Sequence, residues 1–305
     1  MVIWHSHSGI IVNSLATALP FYRDVLGLRV VWEVERVPDP RAPRTGHYLD
    51  GVHIRLAWLR RGDVQIELVD YVNKKDVVQD RGALDPHAGH QAFFVDDIQK
   101  HHDRLKVRGV RFAGPPAFHG PGVATVFGKD PDGNWVQLSL PPQGPKIEPS
   151  LDEGGFGHGA AGLIVDRMED ALPFYRDLLG MEVVRTVERS ADTPAKGAAP
   201  KGRPLKEVWL KRGGFRIKLV DFRDKTEKAP GVGAMDVHST HLAFFCDDLP
   251  AEHQRLASHG IWFRDPAYGA DGKPMHFAYG KDPDGNWFEL NAAGSHGAGA
   301  LPRPA

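Results

Sequence analysis

The chain repeats itself. Ala18-Leu-Pro-Phe-Tyr-Arg-Asp24 returns as Ala171-Leu-Pro-Phe-Tyr-Arg-Asp177, and His90-Gln-Ala-Phe-Phe-Val-Asp-Asp97 returns as His241-Leu-Ala-Phe-Phe-Cys-Asp-Asp248. Gly128-Lys-Asp-Pro-Asp-Gly-Asn-Trp135 recurs unchanged from Gly280 to Trp287. All three matches fall at offsets of 151–153 residues, so residues 1–148 and 149–305 are two copies of one unit, joined near the linker-like Pro141-Pro-Gln-Gly-Pro145. With 305 residues, each copy is long enough to bury a core of its own.

Each half divides again, into quarters that share one pattern. A short apolar strand leads into a helix of about three turns and then into further strands, the last of them alternating. In the first quarter Ile10-Ile-Val12 is the strand, and Asn13 or Ser14 is placed to cap the helix. Leu15, Ala18, Leu19 and Tyr22 then follow at helical spacing, with Pro20 in the first turn or two, where a missing N–H is best tolerated. Gly27 and Gly180 suit left-handed helix stops. In the second quarter Asp96-Asp97 can cap a helix carrying His101 to Val107, and Asp130-Pro-Asp-Gly-Asn134 is hairpin chemistry. The expected class is α+β: four βαβββ modules forming two cupped sheets, with helices on their outer faces. Segments 35–51 and 189–206 are long loops, candidate lids or plain surface, and the Gly/Ala/Pro-rich tail after about residue 293 is expected to be disordered.

Composition excludes several functions. A formal net charge of −1 gives no field to recruit nucleic acid or an anionic membrane. No run approaches eighteen apolar residues, and Met1-Val-Ile-Trp-His5 lacks the charged and apolar regions of a secretory signal. Cys246 is the one cysteine; within a strand-like run it reads as a buried bystander rather than a nucleophile. A reduced, cytoplasmic setting is the expectation. No phosphate-cradling glycine loop, Ser/His/Asp arrangement or paired-cysteine zinc spacing is present.

The informative anomalies are polar residues in mid-strand. Glu67 lies in Val64-Gln-Ile-Glu-Leu-Val69 and Glu289 in Trp287-Phe-Glu-Leu290, each on the face opposite its apolar neighbours. A carboxylate aimed into a concave sheet needs a cation or strong donors, because burying it alone is costly. His7, His90 and His241 hold matching early-strand positions. Histidine and carboxylate on adjacent strands suit Zn²⁺, Ni²⁺, Mn²⁺ or Fe²⁺.

His7-Ser-Gly-Ile-Ile-Val12, Ala18-Leu-Pro-Phe-Tyr-Arg-Asp-Val-Leu-Gly27 and Ile66-Glu-Leu-Val69 resemble the opening and close of a vicinal-oxygen-chelate module. His90-Gln-Ala-Phe-Phe-Val-Asp-Asp97 and Asp-Pro-Asp-Gly-Asn-Trp-x-Glu-Leu resemble those of its partner. The chain is therefore similar to the glyoxalase, bleomycin-resistance and extradiol dioxygenase superfamily over all but its long loops and tail. The resemblance implies one metal ligand from the first strand and one from the last strand of each module. Those positions are His7 and Glu67, His90 and Gln137, Ala160 and Lys218, and His241 and Glu289. Ala160 cannot bind a metal, and the Lys218 ammonium repels one.

Two pairings are open. Direct pairing of neighbouring quarters gives His7/Glu67/His90/Gln137 and Ala160/Lys218/His241/Glu289, with Lys218 and Glu289 neutralising each other. Crossed pairing, one with four and two with three, gives His7/Glu67/His241/Glu289 and leaves every loss in the other cup; some tandem members of the glyoxalase I family are arranged this way. The crossed reading is favoured because it explains why the losses fall together. His5 and His158 match between halves and share a strand face with the ligand positions, in outer-layer or surface roles. Trp4, Trp58, Trp135, Trp209, Trp262 and Trp287 read as packing residues, His101-His102 as a solvated helical face, and Lys218 as a structural ion pair or an anion site.

The resemblance implies one divalent metal ion and a small-molecule substrate, with a monomeric or homodimeric protein. The leading expectation is lyase or isomerase chemistry of the glyoxalase I and epimerase type, through an enediolate, with Glu67 or Glu289 as the base. Apolar walls suggest an oxygenated, aromatic or hydrophobic substrate. A non-haem Fe(II) ring-cleaving dioxygenase is the first alternative, damaged by Ala160 where a histidine is needed, and a non-enzymatic drug-binding protein is the second.

Overall fold

Seventeen strands and four helices follow one another in the computed structural model, which describes residues 3–41, 49–62, 64–73, 89–120, 123–142, 151–189, 205–222, 233–237 and 239–294. The first quarter holds β1 (Ile3–Ile11), α1 (Leu15–Pro20), β2 (Arg29–Arg36), β3 (Ile54–Arg61) and β4 (Val64–Tyr71). The second holds β5 (Gly89–Val95), α2 (Ile98–Val107), β6 (Arg111–Phe112), β7 (Ala117–Gly120), β8 (Val123–Lys129) and β9 (Trp135–Ser139). The third holds β10 (Phe156–Val165), α3 (Met168–Pro173), β11 (Glu182–Arg189), β12 (Leu205–Arg212) and β13 (Phe215–Phe222). The fourth holds β14 (Thr240–Cys246), α4 (Leu249–Ser258), β15 (Trp262–Phe263), β16 (Phe277–Lys281) and β17 (Trp287–Ala292). Most of the two long loops, the linker and the tail lie outside the described residues.

Pro20 falls in the second turn, as expected, and ends the regular α ladder there. Lacking an N–H, it cannot continue the i→i−4 ladder, and Phe21–Val25 widens into a π turn with Leu26 N–H donating to Phe21 O at 3.0 Å. Pro173 does the same to Phe174–Leu178. The expected cap is corrected. The Ser14 side chain caps nothing; instead Asp132 of the second quarter accepts from Asn13 N and Ser14 N, at 2.9 and 3.3 Å, and Asp70 accepts from Leu15 N at 3.0 Å. Asp284 and Asp221 repeat this for α3. In contrast Asp97 caps α2 as expected, accepting from Lys100 N.

Two sheets result, in the mixed α+β arrangement expected. One runs β15-β16-β17-β14-β1-β4-β3-β2 and joins quarters one and four. The other runs β11-β12-β13-β10-β5-β9-β8-β6, with β7 on β8, and joins quarters two and three. Antiparallel pairing of β1 with β14 and of β10 with β5 makes the two joints. The direct-pairing set is thereby corrected: His7 and Glu67 lie in one sheet, and His90 and Gln137 in the other.

The cores follow the opposite rule. Ile10, Ala18, Tyr22, Ile66 and Leu68 of quarter one pack with Phe93, Val95, Leu105, Val136 and Leu138 of quarter two. Leu163, Phe174, Ile217 and Leu219 pack with Phe244, Leu249, Leu256 and Phe288 in the same way. Tyr22 O–H donates to Asp130 at 3.0 Å and Tyr175 O–H to Asp282 at 2.8 Å, fixing each helix to its neighbour's hairpin. Each sequence half thus shares a core, while each cup is assembled across the two halves. The cup faces are the sheet faces turned away from those cores, because residues alternate sides along a strand. Among the described residues no helix is long and apolar enough to cross a membrane.

Three polar residues sit otherwise than their sequence context suggests. His101 and His102 are buried rather than solvated: His101 Nε2 meets Asp96 at 2.9 Å, and the His102 ring lies 4.5 Å from that of Phe112. His158 does not share the cup face. A β-bulge between His158 and Ala160 turns it to the core side, where it pairs with Phe93 and bonds Gln91 Oε1 at 3.0 Å. The side chain of His5 lies outside the described residues.

Candidate metal centre

Four adjacent strands carry the four residues. In the order β17-β14-β1-β4 they present Glu289, His241, His7 and Glu67 to one cup. Register brings them level: Ala243 on β14 lies beside both His7 and Glu289, and Gly9 on β1 lies beside both His241 and Glu67. His7 Nε2 stands 3.1 Å from Glu67 Oε2 and 3.3 Å from Glu289 Oε2. His241 Nε2 stands 3.7 and 3.6 Å from the same two atoms. His7, His241 and Glu289 each offer a donor atom within 4.8 Å of the others.

This spacing is that of ligands around one ion. Donors about 2.1 Å from a common centre stand about 3.0 Å apart in octahedral and about 3.4 Å apart in tetrahedral geometry. Two imidazoles and two carboxylates are also a donor set for borderline divalent cations. The residues present therefore fit a divalent metal, with His7 and Glu67 supplied by the first half and His241 and Glu289 by the second.

Electrostatics agree. All four are buried, with His7 only 1% and Glu289 4% exposed. Burial by itself pushes the His7 imidazole down, but the charges of Glu67 and Glu289 outweigh it and carry its pKa up to about 9. Burial raises the Glu67 carboxyl, and His7 and His241 outweigh that, holding it well below the usual carboxylate range. In the absence of a metal, the cluster replaces the missing positive charge with a proton.

An outer layer holds these groups, and sequence alone did not reveal it. Trp58 Nε1 donates to Glu67 Oε1 at 2.7 Å, and its ring lies 4.8 Å from that of His7. Ser6 Oγ shares a 2.9 Å hydrogen bond with His7 Nδ1, which leaves Nε2 for the centre. Tyr279 O–H lies 3.3 Å from His241 Nε2. The packing reading of Trp58 is thus incomplete, and Trp32, whose ring is 5.9 Å from that of Trp58, was not singled out at all. The signal for Trp58 was its place directly across from Glu67 in the β3–β4 hairpin. Removing its donor with Trp58→Phe is expected to weaken metal affinity by about 10–100-fold, measured by competition against a chelating dye.

The other positions occupy the second cup. His90, Gln137, Ala160 and Lys218 lie on β5, β9, β10 and β13, and Lys218 Nζ donates to Gln137 Oε1 at 2.6 Å. Cys246 is buried, and burial pushes its thiol up to about 12, in keeping with a bystander.

Known proteins share this fold. Glyoxalase I from Saccharomyces cerevisiae is 24% identical over 223 residues, a match spanning 68% of this chain and 65% of the yeast protein, so just under two thirds of that relative's length is covered. Glyoxalase I from Zea mays superposes with a TM-score of 0.63 at 19% identity, over 96% of this chain and 93% of the maize chain. A Bacillus subtilis protein described as a candidate dioxygenase superposes with a TM-score of 0.57 at 17% identity, over 95% of this chain and 85% of that one. At these identities the two structures speak for the fold. Both sequence halves, over residues 4–138 and 155–290, match the profile of one family. With the fourfold module, the cup and the donor set in hand, the chain belongs to the Glyoxalase/Bleomycin resistance protein/Dioxygenase superfamily.

Proposed function

We propose that this protein is a divalent-metal-dependent lyase or isomerase of the glyoxalase I and epimerase type, moving a proton beside a carbonyl of a small oxygenated substrate. The observation that carries the reading is the inequality of its two carboxylates. Glu67 is anchored through Trp58, whereas Glu289 has no comparable hydrogen-bond donor among the described residues and meets only His7 and His241. A carboxylate held on one side is a fixed ligand; one held only by its neighbours in the cluster is free to turn toward substrate. Glu289 is therefore assigned as the base and Glu67 as the fixed carboxylate.

A bound Zn²⁺, Ni²⁺, Mn²⁺ or Fe²⁺ supplies Lewis acidity toward substrate oxygens when present. The chain's own residues do the rest. Glu289 takes the proton from the carbon next to the carbonyl and returns it to the adjoining carbon, a role worth about 10²–10⁴ in rate. Trp58 and Ser6 keep Glu67 and His7 from following Glu289 as it moves. The cup is walled by Trp32 and Trp58 on one side and by Tyr279 and Trp287 on the other, which suits an apolar or aromatic substrate.

The test is proton exchange. Metal-loaded protein in D₂O with a panel of α-hydroxycarbonyl compounds and thiohemiacetals is expected to place deuterium beside the carbonyl, and Glu289→Gln to lose that exchange by at least about 100-fold. One observation favours a second reading: His7, His241 and Glu289 form a two-histidine, one-carboxylate set, which suits Fe(II) oxygenase chemistry. Oxygen uptake on catechols by the iron-loaded protein, without exchange on the panel, would replace the first reading with the second.

A further inference from the structure

The second cup has lost its metal set and kept its construction. Gly162 lies beside His90 as Gly9 lies beside His241, and a side chain added at either glycine would strike the facing imidazole within about 2 Å. His90 is therefore seated like a ligand, 2% exposed, with neither ring nitrogen in a hydrogen bond of ordinary geometry. Beside it, Ala160 puts a methyl group where the first cup has the His7 imidazole.

The charge at the ligand positions is reversed. Where the first cup gathers two carboxylates, the second holds the Lys218 ammonium, 4% exposed, with the 7%-exposed Arg216 two residues earlier on the same strand face. Lys218 Nζ donates to Gln137 Oε1 at 2.6 Å and lies 5.6 Å from the centre of the Trp209 ring. Gln137, with its oxygen on the lysine, also neighbours the His90 ring. Burial, then the Lys218 charge, hold the His90 imidazole well below its usual pKa, so it is neutral and carries one N–H. An ammonium, a side-chain amide and a neutral imidazole, each able to donate, thus share one floor at the positions that carry ligands in the first cup.

The walls are aromatic. Trp209 stands on β12, with its Nε1 bonded to Glu207 at 2.6 Å and its ring stacked 6.0 Å from Phe94. Phe127 stands on β8, across the cup, 5.2 Å from the His90 ring. Donors below and rings on two sides describe a receptor for an anion on a flat apolar body. We propose that the second cup binds a small aromatic carboxylate, its carboxylate received by Lys218, Gln137 and His90 and its ring placed between Trp209 and Phe127. This second site is separate from the metal centre and does not depend on the reaction run there.

Titration of the full-length, metal-loaded protein with benzoate, followed by calorimetry and by saturation-transfer NMR, tests the assignment. Benzoate is expected to bind at one site per chain, and benzamide, its neutral counterpart, at least about tenfold more weakly. Lys218→Met keeps the side-chain volume, removes the charge and is expected to weaken benzoate at least about tenfold while leaving metal content unchanged. Gln137→Leu serves as a second variant should the first fail to fold, with the same expected direction. His7→Ala, which dismantles the other cup, is expected to leave benzoate affinity within about twofold of the parent. No saturable binding at millimolar benzoate, equal binding of benzamide, unaltered affinity in Lys218→Met, or loss of binding in His7→Ala would each overturn the proposal.

Discussion

Gly9→Ala is expected to cost the protein its metal while leaving its fold in place. Gly9 sits directly beside His241 across the β1–β14 joint, and a Cβ built there falls 1.9 Å from His241 Cε1 and 2.2 Å from its Nε2. Real atoms do not approach so closely, so the ring must leave its seat and take one of four ligands with it. The backbone is not the obstacle, since Gly9 lies within an ordinary extended strand that alanine can adopt. Metal affinity is expected to fall by at least about 100-fold, and activity with it, because an outer-layer change alone commonly costs 10–100-fold. Gly162→Ala is the matched control. It strikes His90 in the same way, 2.0 Å from Nε2, but in the second cup, and metal content is expected to stay at the parent value. Equal metal loss in both variants would point to damage at the strand joints rather than to ligand displacement.

The metal-free protein is expected to lose about 3 kcal/mol of stability between pH 6.5 and about 9, the window set by the raised His7 pKa. A group whose pKa is higher in the folded state contributes fully below its unfolded value and loses that contribution as pH rises through its folded value. His7 therefore stabilises the metal-free cluster while protonated, as the counter-charge of Glu67 and Glu289. Bound metal takes over that task and requires His7 neutral, so affinity should climb over the same window as the competing proton is released. Urea unfolding of chelator-treated and metal-loaded protein across this range checks both statements. The first should fall as pH rises, and the second should lack that fall. Parallel curves would show that His7 does not exchange a proton for the metal.

How much of this was legible in the sequence depended on which physical rule was at work. Period-two alternation placed Glu67 and Glu289 opposite their apolar neighbours, and that placement alone brought both into a cup. Ala160 and Lys218 told by their chemistry which quarters had lost a ligand, and so favoured the crossed sheets. Long-range pairing hid the rest. Asp132 replaces Ser14 at the start of α1 from a hairpin more than a hundred residues away, which no local capping rule can foresee. The bulge between His158 and Ala160 shifts facing by one residue and sends His158 to the core. His101 and His102 looked solvated because their helix is polar by composition, yet the core shared by quarters one and two covers them. Trp58 looked like packing because a tryptophan N–H declares its partner only when the strand opposite is in register.

The arrangement has a structural consequence. Each half contributes a core of its own but only half of a metal site, so the centre exists only when β1 and β14 are joined. Fusion of two copies into one chain removes the need for two identical cups. The second cup has Ala160 and Lys218 at ligand positions while keeping the same strand order and glycine seat.

Metal stoichiometry tests this account most directly. Elemental analysis of the purified chain, and of variants that alter one cup at a time, should find one divalent ion per chain in the parent and in His90→Ala. His7→Ala and Glu289→Ala, one from each half, should each bring it close to zero with the fold intact by circular dichroism. Two ions per chain, or loss of the ion in His90→Ala, would contradict a single centre built across the two halves.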